Sequence, residues 1–223
     1  MQFFENIIKI WDKYHMLYLE GLWGTLWISV VVVLCGTLLG TLVALMRMSR
    51  SKLLNGIVSV YIELIRGTPI LVQLYFFWLA LPKVLPFEIT DSQSIIIALI
   101  ISTAAYIAEI IRAGINAVDK GQWEAAKSIG LSTRNTMTRV ILPQAVKNIL
   151  PALGNEFIST VKGTSLASVF FLGELTTAYK TAGAATFLQV ESLAIAAIIY
   201  FTVNFILSRL LKVLERRLSA SDR

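Results

Sequence analysis

The chain has 223 residues, 56% of them hydrophobic, and a mean hydropathy of +0.71. Soluble domains carry about 45–50% apolar residues by a wider count that includes glycine, and here the excess gathers in long runs, which excludes an ordinary soluble domain and points to an integral membrane protein. A net charge of +6 would favour nucleic acid in a soluble protein; here it reads as basic cytoplasmic loops, and no nucleic-acid partner is expected.

The first 18 residues set Glu5, Lys9, Asp12 and Lys13 among apolar side chains. No small-residue cleavage site follows a clear apolar run, so 1–18 reads as an outer N-terminal segment and not as a cleaved signal peptide. His15 has no second ligand at metal spacing, and no metal is expected. A first span covers about 20–46, from Gly21 to Met46. The single cysteine, Cys35, lies inside it and cannot form an internal disulfide. Gly36 and Gly40, one turn apart, permit close helix packing, taken here as packing within the chain. A second span lies within 53–82. Arg66-Gly67-Thr68-Pro69 interrupts it, so 53–66 reads as a helical lead-in near the interface, kinked into the membrane at Pro69.

A third span covers about 92–117, a fourth about 144–163 and a fifth about 191–214. Each is near the ~20 residues that a helix needs to cross the hydrocarbon core. Between the last two, Thr164 to Leu175 is apolar but too short to cross, and Thr176 to Ala185 is small and polar. A re-entrant or outer-face helix followed by a loop is expected there, tolerated only where protein or a water-filled cavity covers the backbone. The whole chain, 1–223, thus reads as one all-α membrane domain of five transmembrane helices.

Lysine and arginine orient it. Arg47, Arg50 and Lys52 follow span one. Arg112, Lys120, Lys127, Arg134, Arg139 and Lys147 surround the loop after span three, and Arg209, Lys212, Arg216, Arg217 and Arg223 lie in the tail. The other side carries only Lys9, Lys13, Lys83 and Lys180. The N-terminus is therefore expected outside, with the loop 118–143 and the tail 215–223 in the cytoplasm.

That loop is too polar to be membrane and too patterned to be a tether. Asp119 and Gln122 resemble a capping box, so a helix over about 120–129 is predicted, with Gly130 at its left-handed C-terminal cap. Ser132 or Thr133 can cap a second helix that ends at Pro143. Trp123, Ala126 and Ile129 share one face, leaving Glu124, Ala125 and Lys127 elsewhere. Such an element can seat in a partner's groove and transmit a push, or it can be a hairpin packed on its own bundle.

Polar stripes on apolar helices are costly unless they face a cavity or a partner. On span four Asn148, Ala152, Asn155, Ser159 and Lys162 share a face, flanked by Glu156. Asn155 and Glu156 have no basic residue one turn away; either they line a solute path, Glu156 attracting an ammonium group, or they bond another subunit. Lys162 would suit a carboxylate. Span three carries Ser102, Glu109, Arg112 and Asn116, and span two Ser59, Glu63, Arg66 and Gln73. Glu63 with Arg66, and Glu109 with Arg112, read as structural ion pairs at a spacing of three, and Tyr106 as packing. No Gly-x-x-x-x-Gly-Lys-[Ser/Thr] motif is present, so this chain is not expected to hydrolyse ATP.

Glu124-Ala125-Ala126, three residues, Gly130, nine residues, then Val140-Ile141-Leu142-Pro143 resembles the signature loop of permease subunits in ABC importers, with Val140 in place of isoleucine. Tyr61 to Pro69, Ala105 to Ile115 and Thr164 to Val169 are similar to the polar amino-acid branch of that family. The resemblance covers roughly 18–217. It implies a coupling helix, built on Glu124, Ala125, Ala126, Gly130, Leu142 and Pro143, that docks on a cytoplasmic ATPase. It also implies two such ATPases holding ATP and magnesium, a second permease, like or unlike this one, an extracytoplasmic amino-acid-binding protein and a bacterial cytoplasmic membrane. Asn155, Glu156, Ser159, Lys162 and Gln73 are then candidates for the solute path. Many relatives have an acidic residue before the Thr-Ser pair; here it is Gly163. A stand-alone ion-coupled transporter or channel is the rival, although five spans do not divide into the paired halves such a protein needs. A passive anchor would leave the polar stripes unexplained.

Overall fold

The computed structural model describes residues 1–220, with side chains through Leu218, and Ser221, Asp222 and Arg223 of the expected tail lie outside it. Among the described residues every regular element is helical. Helix α1 runs without a break from Gln2 to Arg47. Its 46 residues span about 69 Å at 1.5 Å per residue. The expected outer segment 1–18 is therefore the start of the first long helix, because Ile10 and Tyr18 are buried against the last two helices. Tyr18 donates to the Ser192 carbonyl at 3.0 Å, and Asn6 to Glu191 at 3.1 Å.

Helices α2 (Lys52–Gly67) and α3 (Ile70–Val84) meet at a 113° bend where the sequence places Pro69. Helix α4 (Asp91–Asn116) begins at a reciprocal capping box between Thr90 and Gln93. Helices α5 (Lys120–Ser128) and α6 (Thr133–Thr136) follow; α6 passes through a π-turn, Met137–Ile141, into α7 (Leu142–Gly163). The expected stop at Pro143 does not occur. In an α-helix its ring would strike the carbonyl four residues back, and the wider π-turn, where the Leu142 N–H reaches back to Met137, makes room for it.

A 3₁₀ turn, Thr164–Phe170, leads to α8 (Leu175–Thr186) and α9 (Gln189–Ala220). The small polar stretch expected to be a loop is thus α8 itself. Buried Glu174 caps it, accepting from the Thr176 and Thr177 amides at 2.8 and 2.6 Å.

Packing fixes the helix directions. A Cβ on Gly36 would meet Thr103 at 3.1 Å and one on Gly40 the Ala104 carbonyl at 2.8 Å, so α1 and α4 run parallel and nearly touch through their backbones. The Gly36–Gly40 pair does pack within the chain. Helix α7 is antiparallel to α4, since Gly114 abuts Ile149 near one end and Ser102 and Ser159 line one cavity further along. Gly154 abuts Leu211, which packs α9 closely on α7.

Three helices, α1, α4 and α9, are long and apolar enough to cross a membrane, and the bent pair α2–α3 makes a fourth crossing if taken as one span. Helix α7 has the length, 22 residues, but is too polar to pass the same test. Leu34, Leu38, Leu42 and Leu45 form an exposed apolar row along α1, and only 17% of the apolar window of α9 is buried. So much outward apolar surface fits lipid or a further subunit, not water.

Candidate functional site

The α4–α7 connection forms a compact unit. Asp119 caps α5 by accepting from the Gly121 amide at 2.7 Å. The expected capping box does not close, because the Gln122 carbonyl oxygen turns to the Gln144 side chain at 3.3 Å. Gly130 has φ +78°, the left-handed conformation that favours glycine. The Leu131 amide donates to the Ala126 carbonyl at 3.1 Å and the Gly130 amide to Lys127 at 2.9 Å, which completes a Schellman cap. Ser132, rather than Thr133, caps the next helix through the Asn135 amide at 3.3 Å.

Ala126 is buried, and Trp123 packs against the cluster formed by Ile115, Val118, Ile141, Ala145 and Ile149. The unit is therefore fastened to α4 and α7 together. Ile129 leaves the face predicted for it. It lies past the last turn of α5 and is 78% exposed, an isolated apolar side chain beside exposed Glu124, Ala125 and Lys127. Leu142 and Pro143 are exposed at the head of α7.

Further along α4 and α7 lies a cavity of about 250 Å³ lined by Ile70, Leu99, Ser102, Thr103, Tyr106, Glu156, Ser159, Thr160 and Gly163. Its volume is just under the usual range for small-molecule sites, about 300–1,000 Å³. Glu156 brings a carboxylate, and Ser102, Thr103, Tyr106, Ser159 and Thr160 bring hydroxyls. The Thr160 hydroxyl is spent on the Glu156 backbone carbonyl at 2.9 Å. Of the predicted path residues, Glu156 and Ser159 meet here. Asn155 and Lys162 are exposed and are not among the residues that line this cavity.

Gln73 is elsewhere again. It is buried, and its amide donates to the Ile65 carbonyl at 2.6 Å and to the Thr68 carbonyl and hydroxyl at 3.0 Å each. It stitches the bend that Pro69 opens instead of lining the cavity. Tyr106, read as packing, is part of the wall; the signal for it was its place one turn from Ser102 on the same polar stripe. Thr103 and Thr160 carried no such signal, since each looks like a helix-packing threonine.

One turn from the cavity towards the α5 end, Glu109 holds two guanidinium groups. Arg112 binds it in bidentate fashion at 2.9 and 2.8 Å, and Arg66 of α2 approaches at 3.4 Å. Arg66 also lies over the Tyr106 ring, 5.7 Å from its centre. The predicted Glu109–Arg112 pair forms. The predicted Glu63–Arg66 pair does not: Glu63 is exposed, and Arg66 turns to the acid on the neighbouring helix. Arg47 binds the Asn55 and Ser59 side chains and so ties the end of α1 to α2.

The model of the binding-protein-dependent transport system inner membrane component family matches residues 36–220. The chain is 41% identical to the arginine transport system permease protein ArtQ of Bacillus subtilis (strain 168), over 92% of this chain and 93% of that one. It is 38% identical to the glutamine transport system permease protein GlnP of Escherichia coli (strain K12), over 94% and 95%. A solved amino acid ABC transporter with histidines superposes with a TM-score of 0.88 at 43% identity, covering 92% of this chain and 96% of that one. An inward-facing MetNI methionine ABC transporter shares the fold, with a TM-score of 0.70 at 19% identity over 90% and 97%.

Proposed function

From a chain that belongs to the family of inner membrane components of binding-protein-dependent transport systems, we propose a specific mechanical role: it is the membrane subunit of an ATP-driven importer of polar amino acids, in which α5 receives the push of an ATPase and passes it to the walls of the Glu156 cavity. The observation that carries this is the packing of Trp123. The same apolar cluster clamps α5 to the ends of α4 and α7, and those two helices supply most of the cavity wall. A displacement of α5 must therefore tilt both walls as rigid bodies.

In this reading the chain crosses a bacterial cytoplasmic membrane five times, as α1, the bent α2–α3 pair, α4, α7 and α9, with its N-terminus outside. The polar α7 is tolerated because α4 and α9 cover it on two sides. Exposed Ile129, Glu124 and Lys127 meet a cytoplasmic ATPase, one for each permease of a pair. ATP with magnesium belongs to that partner. An extracytoplasmic binding protein delivers the solute, and closure of the ATPases draws the coupling helices together and opens the cavity outward. Within the cavity, Glu156 holds an ammonium group, and the Ser102, Ser159 and Tyr106 hydroxyls replace part of its water shell.

The test is uptake into proteoliposomes holding the purified complex and its binding protein. Uptake should require ATP on the ATPase side and be indifferent to imposed proton or sodium gradients. Gradient-driven uptake without ATP would instead make the protein a secondary transporter.

A further inference from the structure

We infer that Arg66 is the carboxylate-binding residue of the transport path. It would release Glu109 to take the carboxylate of a zwitterionic solute at the coupling-loop end of the Glu156 cavity. The inference rests on the cavity being the solute path.

A zwitterion brings two charges, and the cavity wall answers only one. It has the Glu156 carboxylate and several hydroxyls, but no cation. An unmatched carboxylate in such a site is costly. Lys162, the sequence-based candidate for that partner, is exposed and is not among the residues that line the cavity. The cation that touches the wall is Arg66, through the face of Tyr106 at 5.7 Å.

Arg66 is also the guanidinium that Glu109 can spare. Arg112 satisfies that carboxylate with two bonds under 3 Å, whereas Arg66 stands at 3.4 Å with 45% of its side chain exposed. When Arg66 leaves, Glu109 keeps its bidentate partner and no buried charge is stranded. A guanidinium fork matches a carboxylate in planar geometry, which a lysine ammonium does not. The position fits release as well as capture. Arg66 is the last charged side chain of α2 before the bend, Ile70 just past the bend lines the cavity, and Gln73 fixes the turn between them. A carboxylate on Arg66 thus sits where the bent span, α4 and the cavity meet.

The experiment measures equilibrium binding to the detergent-purified permease–ATPase complex without its binding protein. It uses three amino acids and the amines that lack only the carboxylate: L-arginine with agmatine, L-histidine with histamine, and L-glutamine with 4-aminobutanamide. For at least one pair, the wild type should bind the amino acid about tenfold or more tightly than the amine, as a charge-assisted bidentate contact warrants. Arg66→Gln should bring that ratio close to one, with the amine's own affinity little changed, and Arg66→Lys should keep part of it. Arg112→Gln should lower the ratio in part, because Glu109 must then keep Arg66 as its partner. A wild-type ratio near one, an Arg66→Gln ratio equal to wild type, or no saturable binding of any pair would overturn the inference. Glu156→Gln separates it from the reading beneath it, because loss of that carboxylate should weaken both members of a pair alike. If Glu156→Gln changes neither, the cavity is not the solute site; if it weakens both while Arg66→Gln leaves the ratio intact, only the role of Arg66 falls. Elution volume and recovery of the ATPase check that each variant is folded.

Discussion

Three side chains show how neighbours assign roles that spacing cannot. Glu63 and Glu109 each precede an arginine by three residues, yet only Glu109 is used, and it serves two helices. Glu63→Gln should therefore be nearly silent, within about 0.5 kcal/mol as for most exposed sites. Glu109→Gln strips the shared anion from two guanidinium groups and should destabilise by about 1–3 kcal/mol. Thermal unfolding of the purified complex compares the two, and equal melting temperatures would return both to surface charges. Gln73 carries a different prediction. Gln73→Leu keeps the volume but removes the donor that binds the Ile65 and Thr68 carbonyls. The bend should loosen at a cost of about 1–3 kcal/mol, read as a lower melting temperature and faster proteolysis near Gly67. An unchanged protein would mean that Pro69 and the core around Leu74 hold the bend alone.

Among the elements, α5 and the α1–α4 pair bear opposite loads. Helix α5 is capped at both ends and fastened on one side, with its outer face bare. Gly130→Pro cannot adopt φ +78° and breaks the Schellman cap. The bundle should still insert and fold, but ATP hydrolysis by the complex should no longer drive uptake. Normal uptake per ATP hydrolysed would rule out transmission through this turn. In the α1–α4 contact the cost falls on folding instead. Gly40→Leu pushes a side chain into the Ala104 carbonyl and Ile107, whereas Gly67→Ala meets nothing within 4 Å. The yield of monodisperse protein in detergent should collapse for the first and hold for the second.

At the scale of the whole molecule, a long exposed apolar row on α1, a largely uncovered α9 and a polar α7 describe an incomplete object. Lipid accounts for the apolar rows. The exposed polar side of α7, with Asn148, Asn155 and Lys162, calls for another subunit or water. Purified from native membranes in mild detergent, the tagged chain should bring with it a P-loop ATPase, with or without a second and different permease. A chain that purifies alone across several gentle detergents would turn α5 back into an ordinary hairpin.

The sequence by itself determined the class, the approximate limits of α4, α7 and α9, the break at Pro69, the cap at Gly130 and the helical pattern of the α4–α7 connection. Each of these rests on an interaction within a few residues, or on the composition of one segment against its solvent, so the information is local. Only the tertiary structure decided that α1 begins at Gln2, that α7 grows out of a π-turn before Pro143, and that Ile129 faces outward. It alone could place Glu156 with Tyr106, Gln73 in the bend, and Arg66 on Glu109 in preference to Glu63. Those outcomes depend on which face of one helix meets which face of another. Arg66 goes to the carboxylate that the neighbouring helix presents, not to Glu63 one turn back on its own helix.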